Sequence, residues 1–235
     1  MNPMTRIIDP NTLEPGDLLL CVMPGTVAEQ VEQVTGSKYT HAGICYNSAE
    51  VVHMSVRGIK KEPVSRLLES SQRIAVLRNP YIWSVKRVEA LKQFLDDALA
   101  NRRRYDMEAA QKFETRKDEH RINLLARLHD HFENGLQPEN HSKLRYICSD
   151  LVVAAFIEIG YIQPSAAIVY RGDTYSAGDL GRDPTFGYFV GYLKPDHSGD
   201  IPRDDEFANK VTLAELKIAE AEMIQEFMAS NLTSR

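Results

Sequence analysis

The residue whose type and place suit it to chemistry in this sequence is a cysteine where a helix is expected to begin. In "KLRYICSDLVVAAFIEIG" (143–160), Leu151, Val152, Ala155, Phe156 and Ile159 recur with helical period and Gly160 supplies a stop, so Cys148 falls in the first turn. Unsatisfied N–H groups and the positive end of the helix dipole stabilise a thiolate there. The same groups can donate to an oxyanion formed when that thiolate attacks a carbonyl. The plainer reading is a small apolar residue in a buried helix, since cysteine is among the most often buried residue types. Cys21 and Cys45 lie inside apolar, strand-like runs, and packing is the expectation for both.

A thiol nucleophile needs a base, and the base needs an orienting partner. Of the seven histidines, His120, His129, His131 and His141 lie in a charged stretch and His197 in a polar, loop-like one. His41 and His53 differ, because each sits in a β-rich run, "YTHAGICYN" and "EVVHMSV", and the two runs are joined by the short "NSAE". In an antiparallel hairpin they approach side by side if their parity puts both on one face. One then serves as base and the other as its anchor, or each is a satisfied polar residue of a strand.

The elements that must hold these residues follow from the pattern. "GDLLLCVM" (16–23) reads as a strand after the "EPGD" turn, and "GTVAEQVEQVTG" as a short helix with Val27, Val31 and Val34 at helical spacing. "RGIKKEPVSRLLE" reads as a strand end and a short helix, and "RIAVLRNP" as a strand stopped by proline. A long helix carrying Val85, Val88, Leu91, Phe94, Leu95 and Leu99 ends in the basic cluster Arg102 to Arg104. The charged, histidine-rich stretch 105–142 reads as a helical insertion. "TFGYFVGYLKP" holds two expected strands, and a closing helix begins after a threonine N-cap, with Leu213, Leu216, Ala219, Met223 and Phe227 as a packing or dimer face.

Composition excludes several classes. The 235 residues are 43% hydrophobic and 26% charged, ordinary for one globular core, and the net charge of −5 offers no global basic field for nucleic acid. Three unpaired cysteines argue against a disulfide framework, and no metal-binding or cofactor-binding motif is present. No apolar segment has signal-peptide or membrane-span character, so a cytoplasmic protein is expected, with export by a signal-independent route as the alternative.

Five blocks, "PGDLLL", "SKYTHAGI", "EVVHMSVRGIKKEPVSRLL", "YICSDLVVAAF" and "YSAGDLGRDPTFGYFVGYL", resemble in that order those of YiiX/YebB-like proteins. These are permuted NlpC-type, papain-like cysteine hydrolases in which the histidine precedes the cysteine. The likeness spans both ends of roughly 14–193, leaving the insertion at about 105–142 and the C-terminal extension at about 205–235 unexplained. It implies an α+β fold in a single domain, with an antiparallel, barrel-like sheet packed on the helix that opens with Cys148. It implies Cys148 as nucleophile, His41 as base and His53 as the third member, with Glu50 as competitor for that place, although strand alternation turns Glu50 and His53 to opposite faces. Tyr146 and Ser149 are secondary candidates at the oxyanion site, and Asp17 is read as structural. The activity implied is cleavage of an amide bond, in a peptide with a cell-wall-like linkage or an N-acyl amide, through a thioester. The competing readings are lipid acyl transfer or ester hydrolysis of the lecithin retinol acyltransferase kind, and a binding module without chemistry. The expected partner is a small-molecule, peptide or acyl-amide substrate, with no nucleic acid and with membrane contact disfavoured by the acidic balance.

Overall fold

The computed structural model of the protein describes residues 6–135, 144–163, 165–195 and 201–232. The run after the "EPGD" turn forms β1 (Leu18–Val22), followed by α1 (Thr26–Thr35), β2 (His41–Cys45), β3 (Glu50–Ser55) and β4 (Gly58–Pro63). Then come α2 (Val64–Glu69), β5 (Arg73–Arg78) and α3 (Val85–Ala100), and next β6 (Arg104–Tyr105), α4 (Met107–Gln111) and α5 (Phe113–Asn134). The chain closes with β7 (Arg145–Tyr146), α6 (Cys148–Glu158), α7 (Ala177–Arg182), β8 (Tyr188–Leu193) and α8 (Leu213–Leu232).

Six strands pair antiparallel in the order β4-β3-β2-β1-β5-β8. The fold is therefore α+β, but the sheet is open and the expected barrel does not close among the described residues. Its two edges meet other segments instead of each other. Outside β8, Ile8 N–H donates to Tyr192 O and Tyr192 N–H donates to Arg6 O, while on β4 the Ile59 N–H donates to Arg103 O. β4 also carries Lys60, Lys61 and Glu62, charged residues of the kind that keep an edge strand from pairing further. Where two strands were expected in "TFGYFVGYLKP", only β8 forms, because Pro184–Phe186 make a 3₁₀ turn and Gly187 takes a φ of 128°.

The sheet separates two apolar clusters. One face presents Leu18, Leu20, Ala42, Ile44, Val52 and Met54 to α6; the other presents Leu19, Cys21, Cys45 and Val51 to Val64, Leu67 and Leu68 of α2. α6 is buried on every side from Ser149 to Phe156, so the apolar stripe expected from its sequence widens into a helix covered all round, with Ser149 and Asp150 as its buried polar residues. It ends where Gly160 takes a left-handed φ of 70°. Asp17 is structural, as expected: its carboxylate receives two hydrogen bonds from Arg78, at 2.7 Å each, and one from Glu14 N–H at 2.8 Å.

The 105–142 stretch is helical where described, and it docks through Arg116 on Asp173 and through His120 Nε2 on Val169 O at 2.9 Å. His141 and His197 lie outside the described residues. Thr212 caps α8 reciprocally with Glu215, as its sequence predicts. Among the described residues, only the start of the face expected on that helix is covered. Leu213 is buried and Leu216 half-buried, but Ala219 and Met223 are exposed, and the side chain of Phe227 is outside the described set. Among the described residues no helix is long and apolar enough to cross a membrane.

Candidate active site

Cys148 opens α6, and the geometry there explains why its sulfur is an acceptor. The N-cap, Ile147, is extended and has no side chain able to cap the helix. The backbone N–H groups of Cys148 and Ser149, with that of Ala42 at the start of β2, act on the thiol instead. These donors pull the thiol pKa down, but desolvation of the sulfur is the larger effect and leaves it above the ordinary value. The thiolate expected from the helix start is thus not preformed, and the free protein holds a neutral thiol. Burial pushes the other two thiols up as well, Cys21 to about 12 and Cys45 well above its usual value, in keeping with packing roles.

The two histidines are brought together by register. Gly43 pairs with His53, so His41, two residues before Gly43, lies diagonally across from His53 on the same face. His41 Nε2 and His53 Nδ1 are 2.7 Å apart, and His53 Nε2 is 2.8 Å from Glu62 Oε1. Glu62 also receives Lys60 Nζ at 2.9 Å. Burial works against the Glu62 carboxylate, yet the bonds from Lys60 and His53 outweigh it and keep its pKa below the usual range. Burial and the Lys60 charge lower the His53 pKa. Burial, with His53 and Lys60, takes His41 down to about 3. Both rings are therefore neutral near pH 7, and the protons can be assigned from the carboxylate inward. Glu62 accepts from His53 Nε2–H, which leaves His53 Nδ1 as an acceptor for His41 Nε2–H, and His41 Nδ1 as the nitrogen with a lone pair.

Thiol and relay are related through the start of β2. α6 covers the face of Ala42 and Ile44, whereas alternation turns His41 and His53 to the face of Cys45 and Val51. His41 is the first residue of β2, and the thiol lies against the N–H of the next residue. Among the described residues, no hydrogen bond joins Cys148 to His41.

Other expected residues fall elsewhere. Glu50 does not reach the histidines: Asn47 Nδ2 donates to its Oε2 at 2.8 Å, and Asn47 Oδ1 receives the Ala49 and Glu50 N–H groups, so both belong to the β2–β3 turn. Tyr146 is buried in the main core; the tyrosine that lines the cavity with the thiol is Tyr105, on β6, whose phenol pKa is pushed up chiefly by burial. Ser149 Oγ is committed to Tyr175 O, tying the helix start to the segment before α7, so that only its backbone N–H acts on the sulfur. Glu62 and Tyr105 are the residues that motif reasoning missed.

The small residue at position 43 is required by the relay. A Cβ there would stand 2.7 Å from Val51 Cγ2 and 3.2 Å from His53 Cβ. Gly43→Ala is expected to push the His53 ring from the Glu62–His41 line, lowering activity about tenfold while costing about 1–3 kcal/mol of stability. Paired denaturation and rate measurements check this. A variant with wild-type rate would show that the ring position does not matter.

The fold and site together define a mixed α+β protein with an open antiparallel sheet, a cysteine at a helix start and, on the sheet, a carboxylate-anchored histidine pair. No protein-family model matches the chain, and no curated protein matches it. Among solved structures it is similar to the crystal structure of metalloprotein yiiX from Escherichia coli O157:H7, DUF1105, with 15% identity, 80% of this chain and 93% of that chain covered, and a TM-score of 0.43. Among the described residues here, no group of three or more His, Cys, Asp or Glu side chains is arranged to hold a metal ion.

Proposed function

We propose that the protein is a cysteine hydrolase acting on an amide or ester carbonyl through a thioester. The observation that carries this reading is the Glu62–His53–His41 relay, which leaves a lone pair on His41 Nδ1 at the start of β2, where the N–H of the next residue, Ala42, acts on the Cys148 thiol. His41 Nδ1 takes the Cys148 proton as sulfur attacks the carbonyl carbon. The N–H groups of Cys148, Ser149 and Ala42 are the donors nearest the growing oxyanion. The tetrahedral intermediate collapses, the C–N or C–O bond breaks, and His41 passes its proton to the leaving nitrogen or oxygen. Water, deprotonated by His41, then attacks the thioester and releases the acid and the free thiol. His53 and Glu62 position the base and hold its tautomer. The bond between base and thiol is one that this reading requires in the substrate complex, where such bonds often tighten.

Mixing the protein with p-nitrophenyl acetate tests the reading directly. One acetyl group is expected on the Cys148 peptide by mass spectrometry, with a burst of nitrophenolate equal to the protein present and none from Cys148→Ala. Labelling spread over surface lysines, with equal nitrophenolate release by the variant, would leave only a binding module.

A further inference from the structure

The cavity that holds the thiol is unusual in what it lacks. It measures about 300 Å³, at the small end for ligand sites, and no Asp, Glu, Lys, Arg or His is among the residues that line it. One wall is α1, whose Val27, Val31 and Val34 recur at helical spacing. In an ordinary surface helix that stripe would face the core, yet Ala28 is the only buried residue of α1, and Val27 and Val34 are 67% and 44% exposed. Met107 and Phe113 of the insertion form the facing wall. Polar atoms are few, and Thr40 Oγ1, buried without a hydrogen-bond partner, is among them.

We infer that this cavity takes an unbranched, uncharged aliphatic acyl chain, whose carbonyl carbon is the atom presented to Cys148. The inference rests on Cys148 being the nucleophile. The valine stripe and the insertion would bury methylenes, the main favourable term for such a group. A peptide of cell-wall type brings carboxylates and ammonium groups that would lose their hydration here and meet no countercharge. Of the two substrate kinds that the sequence suggests, N-acyl amide and cell-wall-like peptide, the lining selects the first. The chemistry is unchanged: the S–C bond forms as the bond to the leaving group breaks, and the thiol proton leaves with that group.

A series of p-nitrophenyl esters, from acetate through butyrate to octanoate, tests it, with acylation of Cys148 followed by nitrophenolate burst and mass spectrometry. Full burial of a methylene is worth about fourfold, and an open groove about half that free energy, so the rate constant should rise roughly twofold per methylene and about 60-fold from acetyl to octanoyl. In Val27→Asp the octanoate-to-acetate ratio should fall at least fivefold. Because it is a ratio within one protein preparation, and Val27 is exposed, partial misfolding does not imitate it. A flat series with Cys148 still acylated would overturn the aliphatic inference and leave the hydrolase reading standing. No acylation of Cys148 by any ester would overturn both.

Discussion

His41→Ala is expected to lower the rate of Cys148 acylation roughly 10³-fold, within the range that loss of a positioned general base brings. The effect is large because the thiol is not already ionised: burial holds its pKa above the ordinary value, so a base must take its proton during attack. The same argument fixes the pH dependence. Only neutral His41 can accept, and burial together with His53 and Lys60 pushes its pKa down to about 3. Protonation therefore removes activity only well below the usual histidine range, and the wild-type rate should be level from about pH 5 to 8. In His41→Ala the rate should climb about tenfold per pH unit across that interval, following the thiolate fraction. Stopped-flow acylation over this range decides the matter. A midpoint near 6.5 in the wild type would place the base in an exposed, unrelayed histidine, and a wild-type rate in the variant would remove His41 from the mechanism.

Glu62→Gln is expected to lower kcat about 100-fold with little change in KM, a typical cost of losing the partner that orients a ring. The substitution keeps size and reach but removes the charge that makes His53 Nε2 the donor. With an amide N–H facing it, His53 reverses its tautomer and donates from Nδ1 to His41 Nε2. The proton on His41 then moves to Nδ1, the nitrogen that must accept from sulfur. This outcome differs from simple damage because ¹⁵N spectra report it: the His41 Nδ1 resonance should change from unprotonated to protonated while the fold is kept. An unchanged His41 tautomer with reduced kcat would mean that Glu62 acts only through packing, and an unchanged kcat would remove the relay from the function.

Part of this site is local, and local patterns suffice for it. Cys148 is at a helix start because an apolar, helix-period run follows it and an extended lead-in precedes it. His41 and His53 face each other because two β-rich runs with a short turn form a hairpin, and period-two alternation then sets their faces. α1, α3 and the capped start of α8 are visible for the same reason, since neighbours in sequence make their hydrogen bonds.

Glu62 stands between the two kinds of information. "GIKKEP" can be read as the strand that follows a two-residue turn at Val56 and Arg57, but its meaning depends on register: Lys60 opposite His53 puts Glu62 on the same face, two residues along. What only the tertiary structure decides are quantities summed over distant segments. The sheet stays open because Arg6–Ile8 and Arg103, far apart in the chain, take the two edges. Tyr105 rather than Tyr146 stands at the thiol because the insertion brings β6 beside β7. The thiol pKa rises because burial of the sulfur in the folded chain outweighs the nearby N–H groups of Ala42, Cys148 and Ser149.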